Sequence, residues 1–267
     1  MRVLVLVLSV AREPWATIER EGQRATWCAA DLPDAPIAYY YGLSGLSPTY
    51  WASRATGKLL RVAHLEGMRS RFVAGVGRWS ARRPVRSEGE RILTRVPESY
   101  DHTNAKTRAA LRHIVATMEF DFLLRTNTSS YVCRPLLLDQ VRSLPDEGYY
   151  GGSLVRLGEP AYVSGTGILM SRDLVELAAG DDSWDYDVID DVALGRVMRR
   201  AGVEPRELPR LDMESVDQPV DPATLRSCFL VRCKSPVDRK LDVPIMHRVH
   251  DLYLRSGRAP DSRAAPS

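Results

Sequence analysis

The sequence predicts an α/β protein whose mixed, mainly parallel sheet is flanked by helices. Short apolar runs, which are typical of buried strands, alternate along the chain with segments of helical period. Two of those segments carry apolar side chains at positions i, i+3, i+4 and i+7, the spacing of one helix face. Because crossover helices join parallel strands, we expect the ligand site at the carboxyl ends of the strands.

The first apolar run, residues 1–10, is predicted to be a buried strand of this sheet. It is too short for a membrane span and no small-residue cleavage site follows it, which argues against a signal peptide. Its unbroken apolar character suits a parallel strand that is covered on both faces. The next segments are a helix over 14–27 with Pro14 in its first turn, a strand over 37–41, an ambiguous stretch over 43–70 and a short strand over 91–94.

The middle of the chain contains a clear amphipathic helix. Its shared apolar face is formed by Leu111, Ile114, Val115 and Met118. Asp101 or Thr103 is placed to cap its first turn. Residues 120–124 then form a predicted buried strand that runs into a polar stretch.

A second clear helix is predicted over 191–201, with Gly202 as the residue that ends it. Its apolar face consists of Leu194, Val197, Met198 and Ala201. The other predicted elements are a helix over 135–144, a strand over 149–155, a helix from Ser171, its N-cap, to Gly180, and a strand over 229–231. We expect one domain over 1–255 and a frayed tail over 256–267.

The composition narrows the classes of function. The formal net charge is +3, and only four of the 37 basic residues are lysine, a bias that a G+C-rich coding sequence explains as easily as function does. We therefore predict no nucleic-acid partner and interpret the basic run over 78–86 as a solvated face. No segment approaches the roughly 18 apolar residues of a membrane span. We expect a bacterial, cytoplasmic protein.

The four cysteines show no C-x-x-C pair and no metal-ligand spacing. Such scattered thiols are typical of reduced, mostly buried cysteines. Cys228 and Cys233 are near enough in sequence to raise a disulfide, which is the less favoured alternative.

Three polar stretches are candidates for the functional site. The first follows the strand over 120–124 and comprises Arg125, Thr126, Asn127, Thr128, Ser129 and Ser130. Hydroxyl and amide groups at a strand end suit ligand binding, although a turn that satisfies its own backbone explains them equally simply. The second, Ser164, Gly165, Thr166 and Gly167, lets a ligand approach the backbone closely. It matches neither a P-loop nor a dinucleotide-binding fingerprint.

The third stretch is acidic and contains Asp185, Asp187, Asp190 and Asp191. The last two open the helix over 191–201, where carboxylates often serve only as caps that favour the helix dipole. A carboxylate held there can also act as a general base.

Taken in order, these stretches resemble the β-1,3-galactosyltransferase and Fringe-like group of GT-A glycosyltransferases. The resemblance spans about residues 1–205. The matching segments are Gln23 to Trp27, Ser99 to Thr107, Ser164 to Asp173, and Asp190 to Gly195 followed by Gly202 and Val203. The resemblance implies a GT-A-like, Rossmann-like sheet and transfer of a sugar from a nucleotide-sugar donor to a hydroxyl acceptor.

The resemblance also implies roles for individual residues. Asp191 would be the catalytic base of an inverting transfer, and Asp190 its neighbour in the acceptor site. Lys106 would contact the donor, and the loop from Ser164 to Gly167 would shape the wall near the transferred sugar.

One departure from the family is plain. The family's donor strand ends in an Asp-x-Asp that holds a divalent metal, and Asn127, Thr128 and Ser129 stand there in this chain. These groups bind hard cations far more weakly than carboxylates do. Three explanations remain: a metal-independent enzyme that uses Arg125, Lys106 or another arginine, weak binding of Mn²⁺ or Mg²⁺ through a distant His247 or His250, or loss of activity. We favour the first, so no cofactor is required.

The predicted function is therefore a glycosyltransferase with an atypical donor site, in which His250 also lies near the diphosphate. An inactive module that binds a nucleotide sugar or a glycan is the alternative. A nucleotidyltransferase is disfavoured, because it too would need acidic metal ligands. The donor sugar, the nucleotide and the acceptor, whether a glycan, a lipid-linked precursor or a small metabolite, are left open.

Overall fold

The computed structural model describes residues 1–43, 48–62, 65–156 and 160–257. It confirms the mixed α/β architecture with a mainly parallel sheet and helices on both faces. The strands are β1 Val3–Leu8, β2 Ile37–Leu43, β3 Arg86–Glu88, β4 Arg91–Pro97, β5 Phe122–Asn127, β6 Ser130–Val132, β7 Tyr150–Val155, β8 Tyr162–Ser171, β9 Arg206–Glu207, β10 Leu211–Met213 and β11 Leu230–Cys233.

The main sheet has eight strands in the order β3-β4-β2-β1-β5-β8-β7-β9. The central pairs β4-β2, β2-β1 and β1-β5 are parallel, as is β7-β9. The pairs that β8 makes with β5 and β7 are antiparallel. Thus β1 and β5 end together, at Leu8 and Asn127, and the first half of β8 extends past this edge, since Thr126 pairs with Gly167.

A second sheet of three strands, β10-β11-β6, was not predicted. Strand β11 runs parallel to β10 and antiparallel to β6, which places Arg232 opposite Ser130. The Cys233 N–H donates to the Ser129 carbonyl at 2.7 Å. This small sheet therefore brings the chain after residue 230 to the end of β5.

The helices are α1 Trp15–Thr17, α2 Pro48–Val62, α3 Glu66–Ser80, α4 Thr103–Thr117, α5 Arg134–Val141, α6 Arg172–Gly180, α7 Asp190–Arg200, α8 Pro222–Ser227 and α9 Asp242–Arg255. The ambiguous stretch over 43–70 contributes α2 and the start of α3, and residues 44–47, 63 and 64 lie outside the described ranges. The predicted helix over 14–27 has a short α-helical turn and then a π-helix, Ile18–Gln23.

Several predicted boundaries and caps were wrong. Pro14 is the N-cap of α1 and does not lie within its first turn. The N-cap of α4 is His102, which makes no capping hydrogen bond, so neither Asp101 nor Thr103 has this role. The N-cap position of Ser171 at the start of α6 is as predicted, although its hydroxyl accepts the N–H of Tyr149 at 2.9 Å and makes no capping hydrogen bond.

The core consists of two apolar layers, one on each face of the main sheet. Strand β1 contributes to both, with Leu4 and Leu6 on one face and Val3, Val5 and Val7 on the other. Helices α4, α6 and α7 cover the first face, and α5 and α9 cover the second. This double burial confirms the assignment of β1 as an interior parallel strand.

The structure also bears on the predicted cysteine state, membrane span and C-terminal tail. Cys228 and Cys233 are free thiols and no disulfide joins them. Within the described ranges, no helix has the length and apolar character needed to cross a membrane. Helix α9 ends at Arg255, and residues 258–267 of the predicted tail fall outside the described ranges.

The junction of β7 and β8 requires glycine at position 152. Gly152 has φ +155°, and a Cβ there would lie 2.3 Å from the Gly167 carbonyl oxygen. We expect Gly152→Ala to lower the free energy of unfolding by more than about 2 kcal/mol, because both clash and backbone strain disfavour alanine.

The matched control for that substitution is Gly75→Ala in α3. A Cβ at Gly75 would meet nothing within 4 Å. Alanine should stabilise the helix by about 0.5–1 kcal/mol. Urea denaturation measures both changes, and equal effects of the two substitutions would contradict this account.

Candidate functional site

A cleft of about 470 Å³ opens at the edge of the sheet where β1 and β5 end. Its walls come from the chain after β1, the segment before α4, the end of β5, the first half of β8, the start of α7, and β11 with the chain after it. This is the edge at which open α/β sheets bind their ligands. Most of the predicted site residues meet here, namely Lys106, Arg125, Asn127, Thr128, Ser129, Ser164, Gly165, Thr166, Asp190 and Asp191.

Three of the predicted donor-site residues, Thr126, Gly167 and His250, do not line the cleft. Thr126 is buried, and its hydroxyl donates to the Thr166 carbonyl at 2.5 Å. Gly167 packs against β11, where a Cβ would lie 2.2 Å from Leu230 Cδ2. Both residues therefore have structural roles.

The predicted donor-site role of His250 is also corrected. His250 is buried on α9, and its Nδ1 is 2.9 Å from the hydroxyl of Tyr131. It lines a separate small cavity of about 10 Å³. His247 Nε2 bonds the carbonyl of Glu21 at 2.8 Å, so neither histidine reaches the cleft.

Asp191 is the carboxylate that faces the cleft from the start of α7. Its Oδ2 accepts the N–H of Gly165 at 2.9 Å, and its Oδ1 accepts the N–H of Val192 at 2.9 Å. Burial, reinforced by the neighbouring charge of Asp190, raises the pKa of Asp191. A carboxylate with a raised pKa, partly open to a cleft, is suited to accept a proton.

Asp190, in contrast, belongs to a closed ring of buried polar groups. The Arg125 guanidinium pairs with Asp190 Oδ2, which also accepts the hydroxyl of Thr107 at 2.8 Å. Tyr40 completes the ring, because its hydroxyl lies 2.8 Å from Thr107 Oγ1 and accepts from Arg125 Nε at 3.1 Å. All four side chains are buried, and burial raises the pKa of Tyr40 to about 12.

Within this ring, Arg125, a predicted donor-side cation, is engaged by the protein itself. Its third nitrogen, Nη1, donates to the Gly165 carbonyl, so all three nitrogens of the guanidinium have protein partners. Gly165 is confined by the same group, since a Cβ there would lie 2.9 Å from Arg125 Nη1 and 3.1 Å from Asp191 Oδ2. Arg125 therefore positions α7 and the Gly165 backbone.

Lys106 is likewise balanced by a protein carboxylate. Its Nζ donates to Glu98 Oε1 at 2.7 Å and to the Ser9 carbonyl at 3.0 Å. Burial lowers the pKa of Lys106, and the charge of Glu98 opposes that shift. Two of the three N–H donors are thus engaged, and the charge available to a ligand is small.

The polar end of β5 does not have the chemistry of a metal site. Asn127 Oδ1 accepts the N–H of Ser129 at 3.0 Å, so this turn satisfies its own backbone with a side chain. Ser129 Oγ accepts from the guanidinium of Arg239 at 2.5 Å. No group of three or more His, Cys, Asp or Glu side chains suited to a metal occurs in the described ranges. The positive guanidinium of Arg239 occupies Ser129 Oγ, and Asn127 Oδ1 is engaged by the backbone of its own turn. These residues therefore do not fit a divalent cation.

Sequence reasoning missed the cations of the cleft. Arg232, Lys234 and Arg239, from β11 and the segment after it, line its wall, and Arg12 lines it from the end of β1. Burial lowers the pKa of Lys234, and the charges of Arg232 and Arg239 lower it further. Arg232, Lys234 and Arg239 therefore form one cluster beside Ser129, which we call the cationic wall.

The cationic wall carries more positive than negative charge. Asp242 balances Arg239 at 2.7 Å. Arg232 is 3.8 Å from Asp212, a carboxylate that Arg210 already holds at 2.6 Å. Lys234 makes no salt bridge with any residue in the described ranges. A ligand with several negative charges would complete this arrangement.

Two aromatic side chains of the cleft were also missed. Trp15 lines it beside Arg12, whose guanidinium lies 5.4 Å from the indole ring. Tyr100 also lines the cleft, with 76% of its surface exposed. The basic residues around the predicted strand over 229–231 were a usable signal for the cationic wall. Tyr100 lies in the segment Ser99 to Thr107 that the family resemblance matched, whereas no pattern marked Trp15.

Comparison with known proteins gives distant structural similarities only. No protein-family model matches the chain, and neither does any curated protein. The crystal structure of the glycosyltransferase GlyE of Streptococcus pneumoniae TIGR4 is similar at 10% identity and a TM-score of 0.42, over 99% of this chain and 67% of that chain. The galactosyltransferase LgtC, in complex with donor and acceptor sugar analogs, is similar at 13% identity and a TM-score of 0.44, over 98% of both chains.

This chain spans about two thirds of the length of the GlyE chains. Similarities of this size assign no residue roles and no substrate. The resemblance to the β-1,3-galactosyltransferase and Fringe-like group also stays a prediction.

The buried ring gives a direct test of the site's architecture. Arg125→Met should lower the free energy of unfolding by about 3–5 kcal/mol, because Asp190 is left buried without its partner. Arg142→Met is the control, since it removes an exposed pair with Asp139 that contributes about 0–1 kcal/mol. If urea denaturation gives similar values for both variants, the ring does not hold the site together.

Proposed function

We propose that this chain is a glycosyltransferase that moves a sugar from a nucleotide-sugar donor to a hydroxyl acceptor with inversion. The observation that carries the proposal is that a proton acceptor and a cluster of cations line the same cleft. A carboxylate with a raised pKa, Asp191, and an excess of positive charge at the cationic wall line the same cleft. Group transfer from a nucleoside diphosphate needs a proton acceptor for the nucleophile and positive charge for the leaving group.

In the proposed reaction, Asp191 takes the proton of the acceptor hydroxyl as its oxygen attacks the anomeric carbon. The bond between that carbon and the phosphate oxygen breaks, and the nucleoside diphosphate leaves with the bonding electrons. The two N–H donors that hold the carboxylate, from Gly165 and Val192, fix its orientation. Asp190 stays within the buried ring and acts as a positioning residue.

The leaving diphosphate would lie against the cationic wall. Arg232 and Lys234 provide charge there that protein carboxylates do not fully balance. Arg12 adds a further cation from the end of β1. Charge-assisted hydrogen bonds from such groups stabilise phosphate oxygens without a metal ion. The metal-independent explanation is therefore retained, with Arg125 and Lys106 replaced by these residues.

A binding module without catalysis is the second candidate. The observation in its favour is the loss of the acidic metal ligands at Asn127, Thr128 and Ser129. It predicts that nucleotide sugars raise the melting temperature of the protein while no diphosphate is ever released.

The catalytic base is tested by Asp191→Asn in a panel of UDP- and GDP-sugars. The amide keeps the shape of the side chain but cannot accept the proton, so release of nucleoside diphosphate should fall about 10²- to 10⁴-fold while donor binding persists. Asp182→Asn is the control, because Asp182 is exposed and lies outside the cleft. Wild-type turnover by a folded Asp191→Asn protein would rule out this role.

The pH dependence follows from the raised pKa of Asp191. The base must be ionised, so kcat/KM should fall as pH decreases through a pKa above 3.8, the ordinary aspartate value.

Ionisation of a group with a raised pKa also disfavours the folded state. The Asp191→Asn protein should therefore be more stable than wild type near neutral pH, and this difference should shrink as pH falls through the raised pKa towards 3.8. Thermal melts against pH provide the check, and an unchanged difference would contradict it.

The cationic wall is tested by Lys234→Ala. Removing a charged partner of the diphosphate should weaken donor binding about 10- to 150-fold, equivalent to about 1.5–3 kcal/mol. Lys240→Ala, an exposed lysine of the same segment outside the cleft, should bind donor like the wild type. Calorimetry measures both variants, and equal affinities would contradict the role of Lys234.

A further inference from the structure

Helices α2 and α3 expose an unusual concentration of large apolar side chains. Of the twelve large apolar side chains that are exposed in the described ranges, six lie between positions 51 and 79. They are Trp51, Leu59, Val62, Leu65, Met68 and Trp79. On α2, Trp51, Leu59 and Val62 follow the i, i+8, i+11 spacing of one helix face. The opposite face turns inward, since Ser53 is buried.

The same segment is strongly basic. Residues 48–86 contain nine lysines and arginines and one acidic residue, Glu66, which pairs with Arg69. The exposed cations here include Lys58, Arg71, Arg78, Arg82 and Arg83. Arg78, Arg82 and Arg83 surround Trp79 in one shallow hollow, with the Arg83 guanidinium 4.2 Å from the indole ring.

We propose that this exposed surface of α2 and α3, which we call the basic apolar face, docks on an anionic lipid membrane. Tryptophan and aliphatic side chains partition into the boundary between headgroups and acyl chains, and cations beside them attract anionic headgroups. On α3, Met68, Trp79, Arg71 and Arg78 lie on one face of the helix, so both contributions act together there, and α2 packs beside this helix.

Other occupants fit this face less well. Exposed Leu59, Val62 and Met68 neither stack on bases nor bind phosphates, which argues against a nucleic acid. A symmetric contact with a second copy would place like charges against each other, because the same patch meets itself. Anionic lipid is the partner that satisfies both the apolar groups and the cations.

The test is cosedimentation of the whole chain with vesicles, without any nucleotide sugar. Wild-type protein should bind vesicles of phosphatidylcholine mixed with phosphatidylglycerol, and binding to pure phosphatidylcholine should be far weaker. A variant with Arg71→Glu, Arg78→Glu and Arg82→Glu should bind the anionic vesicles at least about 100-fold less tightly, given the contribution of each cation near such a surface. Trp51→Ala with Trp79→Ala should also weaken binding, because the apolar contact is reduced.

The matched control reverses three exposed arginines elsewhere, Arg142→Glu, Arg156→Glu and Arg226→Glu. It carries the same net charge as the first variant and should still bind the anionic vesicles. Equal loss in both variants, or no binding by the wild type, would overturn the proposal. A dimer seen by light scattering that the first variant loses and the control keeps would also overturn it. The same holds if wild-type protein binds duplex DNA more tightly than anionic vesicles and only the first variant loses that binding. Because no donor is present, these outcomes are independent of whether the cleft transfers a sugar.

Discussion

The candidate site depends on the buried pair of Arg125 and Asp190. Through Tyr40 and Thr107 this pair closes a ring that joins β2, α4, β5 and α7 at one edge of the sheet. A buried charge is tolerated only when its partner and hydrogen bonds are in place. The ring therefore fixes the start of α7, and Asp191, the next residue, is held beside Gly165 at the mouth of the cleft.

Adjacent aspartates have thus acquired different environments. Asp190 is buried and ion-paired with Arg125, whereas Asp191 faces the cleft, and the negative charge of Asp190 helps to raise its pKa. That division separates a positioning carboxylate from one that can exchange a proton with a ligand. Across the end of β5, the cationic wall supplies positive charge where a metal ion would otherwise be expected.

Local sequence patterns predicted the frame of the protein well. Strand β1 and helices α4 and α7 were predicted because their apolar spacing is regular and their length is sufficient. Helices α2 and α3 were left ambiguous, since glycine, serine and proline interrupt their period and their outward faces are apolar. Their existence depends on contacts with each other and with β4.

The residues of the site were harder to assign than their elements. The family resemblance implied that Lys106 contacts the donor, and the missing carboxylates suggested Arg125 as a substitute for the metal. Both cations instead form ion pairs with buried carboxylates that only the folded chain reveals. The cationic wall depends on the pairing of β11 with β6, a contact across about 100 residues. Such long-range pairing leaves no periodic signal, which is why Arg232 and Lys234 were not predicted.

The central claim is that positive side chains, without a metal ion, hold the diphosphate. Calorimetry of UDP and GDP binding to the wild-type chain, first in EDTA and then with added Mn²⁺, tests it most directly. The account predicts binding of at least one nucleotide in EDTA, with an affinity that Mn²⁺ changes little and that falls as salt concentration rises. Binding that is absent in EDTA and restored by Mn²⁺ would contradict it.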